Sequence, residues 1–132
     1  MGVLVDTCMW SLALRRVKPK EIEVARILTS LIEENRARII GPIRQEVLSG
    51  YSDLSQFQKL RLKLTAFSNE TIIDADYEMA AEYANICRSK GIQGSHTDYL
   101  ICAVSVRLNL SIYTNDKDFL HYQKHLPISL YP

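Results

Sequence analysis

Ser95-His96-Thr97-Asp98-Tyr99-Leu100-Ile101-Cys102-Ala103-Val104 sets one carboxylate at the head of an otherwise apolar run. From Tyr99 to Leu108 only Ser105 and Arg107 are clearly polar. A helix that is apolar on nearly all sides belongs in the interior of a domain. Asp98 falls where this helix begins, a place where free backbone N–H groups and the positive dipole end favour a carboxylate. The simplest reading of Thr97-Asp98 is therefore an N-cap. A functional reading requires other acids that reach the same place.

Outward from this helix, short strands alternate with helical segments. Val3-Leu4-Val5 reads as a buried strand ending at Asp6, and a short helix follows from Thr7 through Leu14. Arg15 to Lys20 is a basic connector, through which Pro19 discourages helix. Glu21 to Glu34 carries Val24, Ala25, Leu28, Leu31 and Ile32 at helical spacing. Arg38-Ile39-Ile40-Gly41 reads as a second strand ended by Gly41-Pro42, followed by a helix from Ile43 to Ser49 that carries Glu46. Leu54 to Phe67 is amphipathic, with Phe57, Leu60, Leu64 and Phe67 on one side. Thr71-Ile72-Ile73 reads as a third strand. Asp74 to Lys90 is helical, with Met79, Ala80, Tyr83, Ala84 and Cys87 on one stripe. After the buried helix, Leu110 to Tyr113 is a fourth strand, Lys117 to Lys124 a short helix, and Pro127 to Leu130 a small edge strand. This alternation predicts an α/β fold with a mostly parallel sheet of four to five strands.

Ligands of open parallel sheets bind beyond the carboxyl ends of the strands. Asp6 ends the first strand, Glu46 lies on the helix after the second, and Asp116 follows the fourth. Asp98 heads the helix leading to the fourth strand, so all four acids are expected at one sheet edge. Carboxylates at close range repel one another and raise each other's pKa values unless a cation is present. Oxygen donors without His or Cys suit a hard ion, Mg²⁺ or Mn²⁺. Such an ion stabilises charge on a phosphodiester and acidifies a bound water. Each acid also has a plain structural role open to it: a strand-end cap for Asp6, a solvated helix position for Glu46, turn formation for Asp116 and Asp118.

The chain has 132 residues, 47% of them apolar and 23% charged, with a net charge of +1. One soluble domain over residues 1–132 is expected. The near-neutral balance excludes a global basic footprint, so any nucleic-acid contact must be local. Cys8, Cys87 and Cys102 are odd in number and lack CxxC spacing, which predicts reduced thiols and a cytoplasmic location. No apolar run is long enough for a membrane span, and Asp6 interrupts the early apolar run that a signal peptide needs.

Four local patterns together resemble the PIN domain, and within it the VapC-type toxins of toxin–antitoxin pairs. They are Val3-Leu4-Val5-Asp6-Thr7, Pro42 to Gly50 with Glu46, Thr97-Asp98-Tyr99-Leu100-Ile101-Cys102-Ala103, and Tyr113-Thr114-Asn115-Asp116-Lys117-Asp118-Phe119. Their order and spacing cover essentially the whole chain. The resemblance implies a three-layer α/β/α sandwich and a metal-dependent endoribonuclease using Mg²⁺, with Mn²⁺ as the alternative. It assigns catalytic and metal-binding roles to Asp6, Glu46, Asp98 and Asp116. Thr7, Thr114 and Asp118 become supporting residues. Cys8 stands where Ser is frequent after the Asp-Thr pair. The resemblance further implies an RNA substrate, a homodimer, and a small antitoxin that covers the groove and offers an Arg to the acids.

Arg15, Arg16 and Lys18 are candidate RNA-phosphate contacts, against the plain reading of a solvated connector. Lys59, Arg61 and Lys63 read as a decorated helix face. Trp10 reads as a core or interface anchor rather than a base-stacking platform. His96, His121 and His125 read as surface residues. Two competing functions are a phosphate-receiving signalling domain and a non-catalytic partner-binding module. The first requires a second acid where Val5 stands, and the four acids argue against the second.

Overall fold

Val3, Leu4 and Val5 are wholly buried and form strand β1 (Val3–Val5). The computed structural model describes all residues, 1–132. After β1 come α1 (Thr7–Arg15), α2 (Pro19–Glu33), β2 (Ala37–Arg38), α3 (Gly41–Ser49) and α4 (Leu54–Leu64). These are followed by α5 (Asp74–Ser89), α6 (His96–Arg107), β3 (Ser111–Tyr113), α7 (Asp118–Gln123) and β4 (Ser129–Leu130). The strands form one parallel sheet in the order β2-β1-β3-β4, the α/β fold that the alternating pattern predicts. No helix is long and apolar enough to cross a membrane.

Several boundaries differ from the sequence-based expectation. Pro19 opens α2 instead of interrupting the chain before it. A proline fits the first helical turn because its missing N–H has no partner there anyway. Gly41-Pro42 likewise open α3, and the second strand shrinks to Ala37–Arg38. Thr71-Ile72-Ile73 forms no strand. Ile73 is the N-cap of α5, its N–H donates to Asp76 Oδ2 at 3.0 Å, and its side chain is 42% exposed. A parallel bridge between Ile39 and Asn69 stands nearby in the chain instead, with the Glu70 N–H donating to the Ile39 carbonyl at 2.8 Å.

The chain divides into two compact units: Met1–Leu4 with Ile72–Pro132, and Val5–Thr71. In the first, α6 buries every residue from Tyr99 to Ser105, as a helix apolar on all sides should. It packs on α5 through Ala80, Tyr83 and Cys87. Met79, expected on that stripe, is 40% exposed. β3 and β4 pair with Ser111 opposite Ser129 and Ile112 opposite Leu130. Phe119 and Tyr122 seat α7 in the core. Asp76 on α5, also buried, accepts Arg107 Nε on Oδ1 at 2.8 Å and Arg107 Nη2 on Oδ2 at 2.9 Å.

In the second unit, Met9, Trp10 and Ala13 of α1 meet α2, which buries Val24, Ala25, Leu28 and Leu31. Trp10 Nε1 donates to the Val5 carbonyl at 3.0 Å, and its ring meets Phe67 edge-on at 5.3 Å. Trp10 is thus a core anchor with no face left for a base. Glu21 caps the start of α2, accepting the N–H groups of Lys18 at 3.0 Å and Val17 at 3.2 Å. The Lys18 N–H bond outweighs burial and, with that of Val17 and the Arg15 and Lys18 charges, holds the Glu21 carboxyl below its ordinary pKa.

Arg44 ties α3 to the end of α4. Nε donates to Asn69 Oδ1 at 2.9 Å, Nη1 to the Leu64 carbonyl at 2.9 Å, and Nη2 to the Phe67 carbonyl. The Leu64 and Phe67 carbonyls lie at a helix end, where backbone acceptors lack intrahelical partners. Arg44→Ala is therefore expected to lower the unfolding free energy by about 2 kcal/mol, the range for hydrogen bonds from a charged group. A urea titration checks this; an unchanged midpoint would mean that the three bonds contribute nothing net.

Candidate metal centre

Asp98 is not the N-cap of its helix. That place belongs to Ser95, whose Oγ accepts the Asp98 N–H at 3.0 Å. Asp98 therefore sits one turn in, with its side chain released from capping. The half-buried carboxylate accepts a hydrogen bond from the Tyr122 hydroxyl, Oη to Oδ2, at 2.7 Å. Burial, and then the bond to the Asp98 carboxylate, push the Tyr122 phenol far above its ordinary pKa. Burial and the neighbouring Cys87 thiol raise the Tyr99 phenol to about 12.

Asp116 follows β3 in the turn Thr114-Asn115-Asp116. Thr114 Oγ1 accepts the Asp116 N–H at 3.0 Å, and Asp116 Oδ1 accepts the Asp118 N–H at 2.9 Å. These two bonds fold the chain tightly into α7. They bring Asp118, two residues on, beside Asp116. Carboxylate oxygens of Asp98, Asp116 and Asp118 all lie within 4.8 Å of one another. Asp98 is half-buried and the other two are exposed. Three anionic groups at that separation repel unless a cation shares them. The donors are all oxygen, which fits a hard divalent ion that retains part of its water shell.

Asp6 and Glu46 belong to the other unit. Asp6, at the end of β1, is 8% exposed and caps α1. Its Oδ1 accepts the Thr7 N–H at 2.8 Å, and the Cys8 thiol lies 3.7 Å from Oδ2. The Thr7 hydroxyl is buried without a hydrogen-bond partner, so the backbone of Thr7, not its side chain, orients Asp6. Glu46 is exposed on α3. Arg15, Arg16 and Lys18 are exposed around the α1–α2 connection. Arg15 lies 3.6 Å from Glu21, and Arg16 Nε donates to the Ala13 carbonyl at 3.2 Å. His96, His121 and His125 are exposed.

Nothing in the sequence marks Tyr122 as a site residue. Its only signal was its spacing from Phe119, which marks the buried side of a short helix and says nothing of Asp98.

No curated protein matches the chain. Among solved structures, FitAcB from Neisseria gonorrhoeae is similar at a TM-score of 0.79 and 20% identity, over 98% of this chain and 96% of that one. VapBC2 from Rickettsia felis, bound to a DNA fragment from its promoter, gives 0.78 and 19% identity, over 99% and 98%. A toxin-antitoxin complex from Klebsiella pneumoniae gives 0.63 and 22% identity, over 89% and 90%. At these identities the likeness is one of fold. The sequence profile of the PIN domain matches residues 3–125, and the chain belongs to the PIN domain family.

Proposed function

We propose that this chain is a single-domain ribonuclease toxin of a type II toxin–antitoxin pair. It would hydrolyse RNA phosphodiesters at an acidic site that takes Mg²⁺ or Mn²⁺. The observation that carries the proposal is the gathering of Asp98, Asp116 and Asp118 oxygens within 4.8 Å in a chain of the PIN domain family. Asp98, Asp116 and Asp118 would hold the cation. When bound, such an ion supplies an acidified water and neutralises charge at the phosphodiester.

The chain's own residues set the geometry. Ser95 fixes the start of α6, and with it the backbone of Asp98. Thr114 and Asp116 fold the turn that presents Asp116 and Asp118. Asp6 and Glu46 are proposed as further essential carboxylates on their correspondence to the family motifs, with Thr7 in support of Asp6. Arg15, Arg16 and Lys18 are proposed to hold RNA phosphates. A small antitoxin partner is supported by the similarity to a toxin-antitoxin complex. The homodimer rests on the family resemblance, and the cytoplasmic location on the odd number of cysteines, Cys8, Cys87 and Cys102, without CxxC spacing.

The test is incubation of total cellular RNA with the purified chain, with Mg²⁺, with Mn²⁺ and with chelator. Discrete fragments that disappear with chelator support the proposal. Intact RNA in every lane, from protein that binds Mn²⁺, would contradict it. Intact RNA from protein that binds no metal would favour a partner-binding module.

A further inference from the structure

We propose that Tyr122 is the positioning residue of the acidic centre, holding the carboxylate of Asp98 in the orientation that receives the cation. The inference rests on the metal-dependent reading of that centre and adds a part which no acidic motif contains.

A helix fixes the Cα of an aspartate but not its carboxylate plane. The terminal torsion of Asp is broad and roughly two-fold, so the plane turns unless something holds it. Here a donor holds it. The Tyr122 hydroxyl donates to Asp98 Oδ2 at 2.7 Å, a charge-assisted bond of ordinary length.

The donor is itself immobile. Tyr122 is 0% exposed. Its ring meets Tyr99 at 5.2 Å and 49°, and Phe119 at 5.2 Å and 74°. Gly94 closes the remaining side. A Cβ on Gly94 would overlap the Tyr122 hydroxyl, and would lie 2.8 Å from Cζ of both Tyr122 and Tyr99. No positive φ explains this glycine. It is there because the phenol occupies the space of its side chain. Gly94, α6 and α7 thus converge on one hydroxyl, and that hydroxyl serves the most deeply placed of the three clustered acids.

Outer-shell partners of metal ligands characteristically matter at about 10–100-fold in metal affinity or activity. A tyrosine whose hydroxyl merely satisfied itself in the core would affect stability alone. Metal affinity, measured well below the unfolding temperature, separates the two.

The experiment is a Mn²⁺ titration of the full chain, following free Mn²⁺ by electron paramagnetic resonance. It compares wild type, Tyr122→Phe, Gly94→Ala, Asp98→Asn and the Asp98→Asn/Tyr122→Phe double variant, with circular dichroism on each. Tyr122→Phe keeps the ring and is expected to weaken Mn²⁺ binding by about 10–100-fold at unchanged helicity. Gly94→Ala, which keeps the tyrosine but displaces it, is expected to weaken binding in the same direction. Added to Asp98→Asn, Tyr122→Phe is expected to change nothing further, because the two residues act as one unit. In RNA cleavage, Tyr122→Phe should lower kcat and leave KM unchanged. Wild-type binding with equal or tighter binding by Tyr122→Phe would overturn this inference alone. A wild type that binds no Mn²⁺ would overturn the metal-dependent reading and the inference with it.

Discussion

Asp98→Asn is expected to reduce chelator-sensitive RNA cleavage by more than about 100-fold, beyond the upper end of what losing an outer-shell partner costs. The substitution keeps the shape of the side chain and its place one turn into α6. The Ser95 cap is untouched, because it bonds the backbone of residue 98. An amide oxygen still accepts from the Tyr122 hydroxyl. What disappears is one negative charge among three clustered acids, and a neutral amide is a far poorer partner for a divalent ion. The expected outcome is a folded protein with unchanged helicity and almost no activity. Asp53→Asn is the matched control. Asp53 caps α4 by accepting the Gln56 N–H at 2.9 Å, and Asn caps a helix equally well. Its activity should equal that of wild type. Cleavage by Asp98→Asn within tenfold of wild type would remove Asp98 from the reaction.

Arg107→Ala is expected to destabilise the fold by about 3 kcal/mol, the lower end for breaking a buried ion pair from one side. Asp76 is only 2% exposed and accepts both arms of the guanidinium. Burial pushes its carboxyl up. The Arg107 hydrogen bonds, the Ile73 N–H and the Arg107 charge outweigh burial and hold the carboxyl below the usual carboxylate range. A group whose pKa is depressed by folding contributes stability that is fully present above its unfolded value. That stability is lost as pH falls through the folded value. The Arg107 contribution should therefore be whole at neutrality and fade progressively as pH falls through about 4, where the unfolded carboxyl is half protonated, toward the lower folded value. Without Arg107, burial acts on the Asp76 carboxylate unopposed by any charge, so the variant carries its cost at neutrality and is relieved of it as acid protonates the group. Urea midpoints of both proteins between about pH 3 and pH 7 test this. The gap should be widest at neutrality and narrow with acid. A gap that does not change with pH would show that Arg107 acts by packing alone.

How much of this was legible in the sequence depends on whether the signal was local. β1, the interior helix α6 and the parallel pair β3–β4 follow from periodicity and apolar runs. Thr71-Ile72-Ile73 has the composition of a strand, but composition does not supply a neighbouring strand. With Ile73 exposed and its N–H taken by Asp76, the segment became the entry to a helix. The N-cap of α6 is Ser95, three residues before the Asp98 at which the apolar run places the start of the helix. Ser95, followed by Asp98 three positions on, has the spacing of a capping box, and the serine takes the cap. Asp118 reached the cluster through a short-range turn that starts at Thr114, so its position follows from local chain geometry. Tyr122 and Gly94 were not legible. Their roles arise from segments 24 and 4 residues from Asp98 meeting in space, and neither residue type carries a signal for that. The Asp76–Arg107 pair, 31 residues apart, escaped for the same reason.

The most direct measurement of the central claim is the chemistry of the cut RNA ends, made with Mn²⁺ and again with chelator. A water nucleophile at a divalent-cation site leaves phosphate monoester ends, whereas attack by the neighbouring 2′-hydroxyl leaves a 2′,3′-cyclic phosphate. Monoester ends that form only with the metal are the predicted result. Cyclic phosphate ends, or cutting that persists in chelator, would contradict the assignment of Asp98, Asp116 and Asp118 as the metal centre of a ribonuclease.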